Sequence, residues 1–275
     1  MRAETAVALQ QRITLALLLG LAAVAWALLV WQKADAGMDM ASPTMGMDAV
    51  LFLAVWVVMM VAMMFPTAAP MILTFHKLQA NRRDRGEAFV GTWVFAFAYL
   101  LVWSASGVVA YAGAVAAAAA GARLAVGAEA AARIGGAVLV LAGLYQLTPL
   151  KDRCLAKCRT PVGFIMTSWR DGTAGALRMG LEHGAWCLGC CWLLFAILFP
   201  LGIMNVAAMA LITAVILAEK VVPWERPVVR LAAVALIAYG AAVLAMPRLL
   251  PTFMAAGVMS MDMQAMPMNA MPAKP

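Results

Sequence analysis

Seven runs of almost uninterrupted apolar residues divide this chain, and they decide what it can fold into. They extend roughly from Ile13 to Trp31, Val50 to Phe75, Ala88 to Ala112, Ile134 to Leu147, Ala185 to Phe199, Ile203 to Ala218 and Val229 to Met246. A helix needs about 20 apolar residues to cross a hydrocarbon core about 30 Å thick. The fourth and fifth runs are short for that task and are expected to extend into their flanks. Lipid leaves the backbone no hydrogen-bond partner outside a helix or a closed barrel, and nothing here alternates with the period of two that a barrel strand shows. The chain therefore reads as an all-α, polytopic transmembrane helix bundle of about seven spans. Composition agrees: 65% of the residues are hydrophobic and only 12% charged, against about 25% charged in soluble domains. A water-soluble fold is excluded.

The basic residues set a direction. Of 20 Lys and Arg, only Lys33, Arg123, Arg133, Arg248 and Lys274 fall on the side reached after the odd-numbered runs. The rest lie at the amino terminus and in the loops on the opposite side, which the positive-inside rule makes cytoplasmic. The amino terminus is then inside and the carboxyl terminus outside. The formal charge of +7 reflects this bias, and nucleic acid is not expected as a partner. Residues 1–12 read as a cytoplasmic segment and 13–246 as the helical domain, with an outer loop at 32–48 and a cytoplasmic loop at 148–184. Residues 247–275 read as an outer tail, expected to be disordered. Ala34-Asp35-Ala36 resembles a signal-peptide cleavage site, but the run from Ile13 exceeds the roughly 7–15 residues of a signal core. An uncleaved span is the favoured reading. The Ala- and Gly-rich stretch from Ala114 to Ala122 marks a helix end or loop.

Sulfur is distributed by compartment. The chain has 22 Met and five Cys, an odd number that rules out a fully paired disulfide framework. Met38, Met40, Met45 and Met47 crowd the outer loop; Met254, Met259, Met261, Met263, Met266, Met268 and Met271 crowd the tail. Thioethers are soft ligands with no proton to lose, suited to Cu(I) where thiols tend to oxidise. Met59, Met60, Met63 and Met64 follow on the second run. At 3.6 residues per turn they share an arc of about 140°. Pro66 and Pro70 come next, and without N–H groups they would free the carbonyls of Ala62 and Pro66 and kink the helix.

The fifth run carries His183, Cys187, Cys190 and Cys191 on an arc of about 100°, but the first and last are about 12 Å apart in helix rise. They cannot all bind one ion; neighbouring pairs could each supply half a site. Cys154 and Cys158 lie one turn apart if their segment is helical, and Lys151, Arg153, Lys157 and Arg159 around them would favour the thiolate, the metal-binding form. Ala176, Gly180 and Gly184, spaced by four, would admit another helix close to the thiol flank. All five thiols, with His76 and His183, fall in the cytoplasmic half. Glu182, Glu219 and Lys220 sit at the ends of runs and are expected to snorkel to water. No phosphate loop, zinc-protease motif or serine triad is visible, so an enzyme is not the favoured reading.

Four ordered stretches resemble a known family. Met-Met-Val-Ala-Met-Met-Phe-Pro from Met59, Pro-Leu-Lys-Asp-Arg-Cys-Leu from Pro149, Gly-Leu-Glu-His-Gly-Ala-Trp-Cys-Leu-Gly-Cys-Cys-Trp from Gly180 and Glu219-Lys220 are similar to motifs of bacterial integral membrane proteins described as predicted metal-binding, with a domain of unknown function. The resemblance covers roughly Val55 to Val222. It implies a metal role in a bacterial inner membrane and leaves transport direction and substrate open. The Met59/Met63 and Met60/Met64 spacing is also similar to the Met-x-x-x-Met pair of eukaryotic-type copper importers, as chemical analogy and not kinship.

The residues expected to hold metal are Cys187, Cys190, Cys191, His183, Cys154, Cys158, Met59, Met60, Met63 and Met64, with copper(I) as the ion and no organic cofactor. The leading expectation is a copper(I)-handling membrane protein moving the ion from outer methionines to cytoplasmic-side cysteines. Its partners would be the bilayer, the metal and either a copper chaperone or a copper enzyme, with a homo-oligomer left open. The alternatives are an assembly factor that loads a copper enzyme, and a thiol-disulfide redox protein built on Cys187-x-x-Cys190.

Overall fold

A computed structural model describes residues 2–35, 44 and 46–253. Among them the regular elements are α1 (Arg2–Asp35), α2 (Ala49–Asp84), α3 (Thr92–Arg123), α4 (Ala128–Gln146), α5 (Pro149–Arg159), α6 (Pro161–Ser168), α7 (Gly172–Ala196), α8 (Leu198–Leu201), α9 (Val206–Val221) and α10 (Glu225–Ala245), with a closing 3-10 turn at Pro247–Leu249 and no strand. The fold is an all-α bundle. Among the described residues, six helical stretches are long and apolar enough to cross a membrane: α1, α2, α3, α4, α7 continued into α8, and α10. The seventh expected span, α9, has 16 residues, which is about 24 Å of rise. Leu17, Leu21, Val24 and Leu28 on α1 and Leu231 and Val234 on α10 face outward, a surface suited to lipid rather than water.

Helix boundaries show where local chemistry overrides hydropathy. The short fourth and fifth runs do extend into their flanks, α4 starting at Ala128 and α7 at Gly172. The alanine-rich stretch from Ala114 forms the last turns of α3, which ends at Arg123; it is helix rather than loop because alanine has the highest helix propensity of any residue. The loop at 148–184 contains α5, α6 and the first turns of α7. Packed structure also continues past Met246. Leu250 is buried, and the Thr252 hydroxyl donates to the Pro200 carbonyl at 2.8 Å. Met254 and the later tail methionines, with Met38, Met40 and Met45, lie outside the described residues.

Two contacts set the helices around the site. In α2, Pro66 cannot donate to Ala62, and the indole Nε1 of Trp26 on α1 donates to that carbonyl instead, at 3.1 Å. A polar group freed inside an apolar bundle is thereby satisfied by a neighbouring helix. Between α3 and α7, a Cβ placed on Gly180 would stand 2.5 Å from the Phe95 carbonyl oxygen, and one on Gly184 would stand 2.8 Å from Val102. The small-residue stripe thus brings α3 against the flank of α7 that carries the thiols.

Candidate metal centre

Five helices converge on the site, and the two short ones among them, α5 and α9, start at side-chain caps. Helix α5 starts where the Thr148 hydroxyl accepts from the Lys151 amide, with Pro149 in the first turn, where its missing N–H costs nothing. Helix α9 starts where the Asn205 side chain accepts from the Ala208 amide at 3.2 Å. Its last carbonyls, on Glu219 and Val222, accept from the Arg159 guanidinium at the end of α5. Two short helices are in this way tied end to end.

A buried ion pair strengthens that tie. Lys151 Nζ lies 2.7 Å from Glu219 Oε2, both side chains being almost fully enclosed, and Gln146 of α4 donates to the other carboxylate oxygen at 2.8 Å. Glu219 and Lys220 therefore do not snorkel to water as expected: both are buried. The physical reason is that each finds a partner of complementary chemistry inside the bundle, which offsets desolvation that would otherwise drive it to the surface. Glu182 is only part-buried and accepts from Ser168 at 3.0 Å.

The clamp between α5 and α9 positions a sulfur cluster. The sulfurs of Cys158 from α5 and of Cys187 and Cys190 from α7 all lie within 4.8 Å of one another, and all three residues are buried. Cys158 and Cys190 are 3.9 Å apart at sulfur. Cys191 Sγ is 3.2 Å from Cys190 Sγ but falls outside the trio. Three sulfurs in a plane around one ion, with bonds of about 2.3 Å as in Zn–S sites, would stand about 4 Å apart. The cluster has nearly that spacing, and all five cysteines are free thiols.

Around the trio the wall is polar. Cys187 Sγ receives a hydrogen bond from Lys220 Nζ at 3.0 Å and shares one with the Tyr99 hydroxyl of α3 at 3.2 Å. Lys220 also donates to the Thr67 hydroxyl of α2 at 3.3 Å. Thr67 in turn donates to the Met64 carbonyl at 3.0 Å, and its hydroxyl is 3.8 Å from the Met64 sulfur. A continuous path of contacts therefore joins the methionine arc to the thiols. Met59, Met60, Met63 and Met64 are all buried, none more than 1% exposed.

The remaining sequence-predicted residues sit close by without joining the cluster. His183 is buried one turn before Cys187, stacked against Tyr99 with ring centroids 5.4 Å apart and edge-on to Phe164; its Nδ1 has no partner among the described residues. Cys154 points at the backbone of Gly189, where a Cβ would stand 2.9 Å from its sulfur. The basic residues around Cys154 do not make it a thiolate: burial pushes its pKa up from the ordinary thiol value. Two of the four basic residues are engaged elsewhere, Lys151 by Glu219 and Arg159 by the end of α9. Tyr99, Thr67 and Lys220 were not foreseen as part of the site. The signals for Lys220 were a charged pair closing an apolar run and the place of Glu219-Lys220 among the stretches that carry the family resemblance.

A family model described as PpoB2 copper chaperone matches residues 53–243. The matched stretch takes in the methionine arc, α5, the thiol helix and Glu219-Lys220. No curated protein and no solved structure matches the chain.

Proposed function

The chain belongs to the PpoB2 copper chaperone family, and from that premise we propose that it is an integral protein of a bacterial inner membrane that collects Cu(I) on thioethers and holds it on the thiolates of Cys158, Cys187 and Cys190. The observation that carries this reading is the buried trio of free thiols drawn from two separate helices and held within 4.8 Å. Thiolates are soft ligands and select Cu(I) over hard cations. The binding face of α2, with four methionines on one arc, supports a route toward them. In the orientation set by Lys and Arg the outer methionines meet the ion first and the thiols hold it near the cytoplasmic side. Thiolates bind Cu(I) more tightly than thioethers do, so ligand strength favours inward movement.

The purified full chain, assayed for metal under reducing conditions, should contain copper, and the Cys158→Ser/Cys187→Ser/Cys190→Ser variant should not. Equal copper in both would overturn the site. A second reading is favoured by the family description itself: the protein loads copper onto a partner enzyme without moving it across the bilayer. Deleting the gene separates the two. Lower cell copper supports translocation, whereas unchanged total copper with loss of a copper enzyme's activity supports loading.

A further inference from the structure

Away from the thiols, a cavity of about 180 Å³ lies where α1, α2 and the start of α3 meet, and Gln10, Thr14, His76, Gln79, Arg83 and Thr92 are among its lining residues. Several of these groups are enclosed with nothing to bind. Gln79 is 6% exposed; its Oε1 accepts from the Val90 amide at 3.0 Å, which turns the NH2 the other way, where no acceptor meets it among the described residues. Thr14, 8% exposed, makes no side-chain hydrogen bond among them either. His76 shares a hydrogen bond at Nδ1 with the Thr92 hydroxyl at 2.9 Å and leaves Nε2 without a partner there. Arg83 brings a partly exposed guanidinium, 2.9 Å from Gln10 Oε1 and 3.6 Å from the Asp84 carboxylate. Among the described residues no Asp or Glu lines the cavity.

We propose that this cavity binds a phosphate group at the cytoplasmic surface of the membrane, the side set by the basic residues. The unanswered groups on Gln79, Thr14 and Arg83 are donors, and an oxyanion offers acceptors alone. Leaving an enclosed amide and hydroxyl unpaired is costly, and a charged partner repays more than a neutral one. The guanidinium suits phosphate in particular, through its fork of N–H groups. An oxyanion also decides the His76 tautomer, with the proton on Nε2 and Thr92 donating to Nδ1. Helix α3 starts at this cavity without a side-chain cap, so its first N–H groups add to the positive field. Size limits the ligand: organic cofactors fill about 300–1,000 Å³, which leaves room here for one headgroup-sized anion. Exposed Phe89 and Trp93 border the cavity, as aromatic residues do at a bilayer interface, and basic pockets between helices on this side suit anionic headgroups. A phospholipid headgroup and free phosphate present the same oxygens. The site shares no residue with the thiol cluster, so it stands apart from the copper reading.

The test uses the full chain in detergent, stripped of lipid and titrated with phosphatidylglycerol or phosphatidylcholine, bound lipid being counted by native mass spectrometry. A second arm adds inorganic phosphate against chloride at equal ionic strength and reads the thermal shift. Wild type should hold phosphatidylglycerol in preference to phosphatidylcholine, or be stabilised by phosphate. Gln79→Glu keeps the acceptor for Val90 and exchanges the donor for a negative charge, and it should weaken binding roughly tenfold or more. Thr14→Val, which keeps the side chain's shape, should weaken it less and serves if the first variant does not fold. Lys77→Gln removes an exposed charge outside the lining and should bind as wild type does. An equal loss in Lys77→Gln would reduce the effect to general attraction and overturn the site. So would a wild type indifferent to both phosphatidylglycerol and phosphate. A response to phosphatidylglycerol alone makes the headgroup the source, whereas free phosphate that binds and displaces the lipid makes it the soluble anion.

Discussion

Cys158 and Cys190 are 32 residues apart in the chain and 3.9 Å apart at their sulfurs, whereas Cys154, one turn away from Cys158 on the same helix, lies against Gly189 and outside the trio. Two thiols that look equivalent along the sequence therefore have different surroundings, and the consequence is open to direct measurement.

Replacing Cys158 by Ser should remove most Cu(I) binding, because a hydroxyl is a hard, weak ligand for a soft ion. The same change at Cys154 should leave metal stoichiometry as in wild type. Elemental analysis of the two purified variants, counted per protein, decides the matter; equal loss in both would mean that α5 presents a different face.

Glu219→Ala should destabilise the bundle by about 3–5 kcal/mol, since it leaves the Lys151 ammonium enclosed without its partner. Replacing both residues together, Lys151→Met with Glu219→Leu, should restore most of that loss. Thermal unfolding in detergent measures the stability, and faster maleimide labelling of Cys158 in the single variant would report that α5 has come away from α9. A double variant no more stable than the single one would count against the ion pair as the clamp.

Converting Met59, Met60, Met63 and Met64 to Leu keeps apolar volume nearly constant, so the fold should survive with a change below about 1.5 kcal/mol per site. Thiol binding of copper added in detergent should also persist. What should fall is delivery of external copper to those thiols, measured by isotope uptake into vesicles. Undiminished uptake would separate the methionine arc from the route.

Gly180→Ala should cost about 1–3 kcal/mol by overpacking, because the new methyl would meet the Phe95 carbonyl oxygen at 2.5 Å. It should also weaken the site, since Tyr99 reaches Cys187 only while α3 stays close. Gly20, with nothing within 4 Å of its Cβ position, provides the contrast. Alanine there should stabilise α1 by about 0.5–1 kcal/mol, the usual helix-interior difference. Paired melting curves test both signs.

Hydropathy made the helices and the two sulfur arcs legible, because each is a property of one segment and its period. The small-residue stripe at Gly180 and Gly184 was legible for the same reason, though not the identity of α3 as its partner. The union of Cys158 with α7 was hidden, since periodicity tells which face of a helix is apolar and nothing about what another helix brings to it. Lys220 and Glu219 were hidden for a different reason. A charged residue near the end of a span has a cheap route to water, and only knowledge of its partner shows that the route is not taken. Tyr99 and Thr67 look like ordinary lipid-helix residues until the cluster they border is assembled.

The bond from Trp26 to the Ala62 carbonyl has a mechanical side. A helix interrupted by proline ordinarily settles its own shape, but here the group orphaned by Pro66 is completed by a donor from α1. Were α1 drawn aside, a bare carbonyl would be left in an apolar interior at a cost of several kcal/mol, within the run of methionines itself. The first helix behaves as a splint: strain applied to it is felt in the backbone that displays Met59 to Met64.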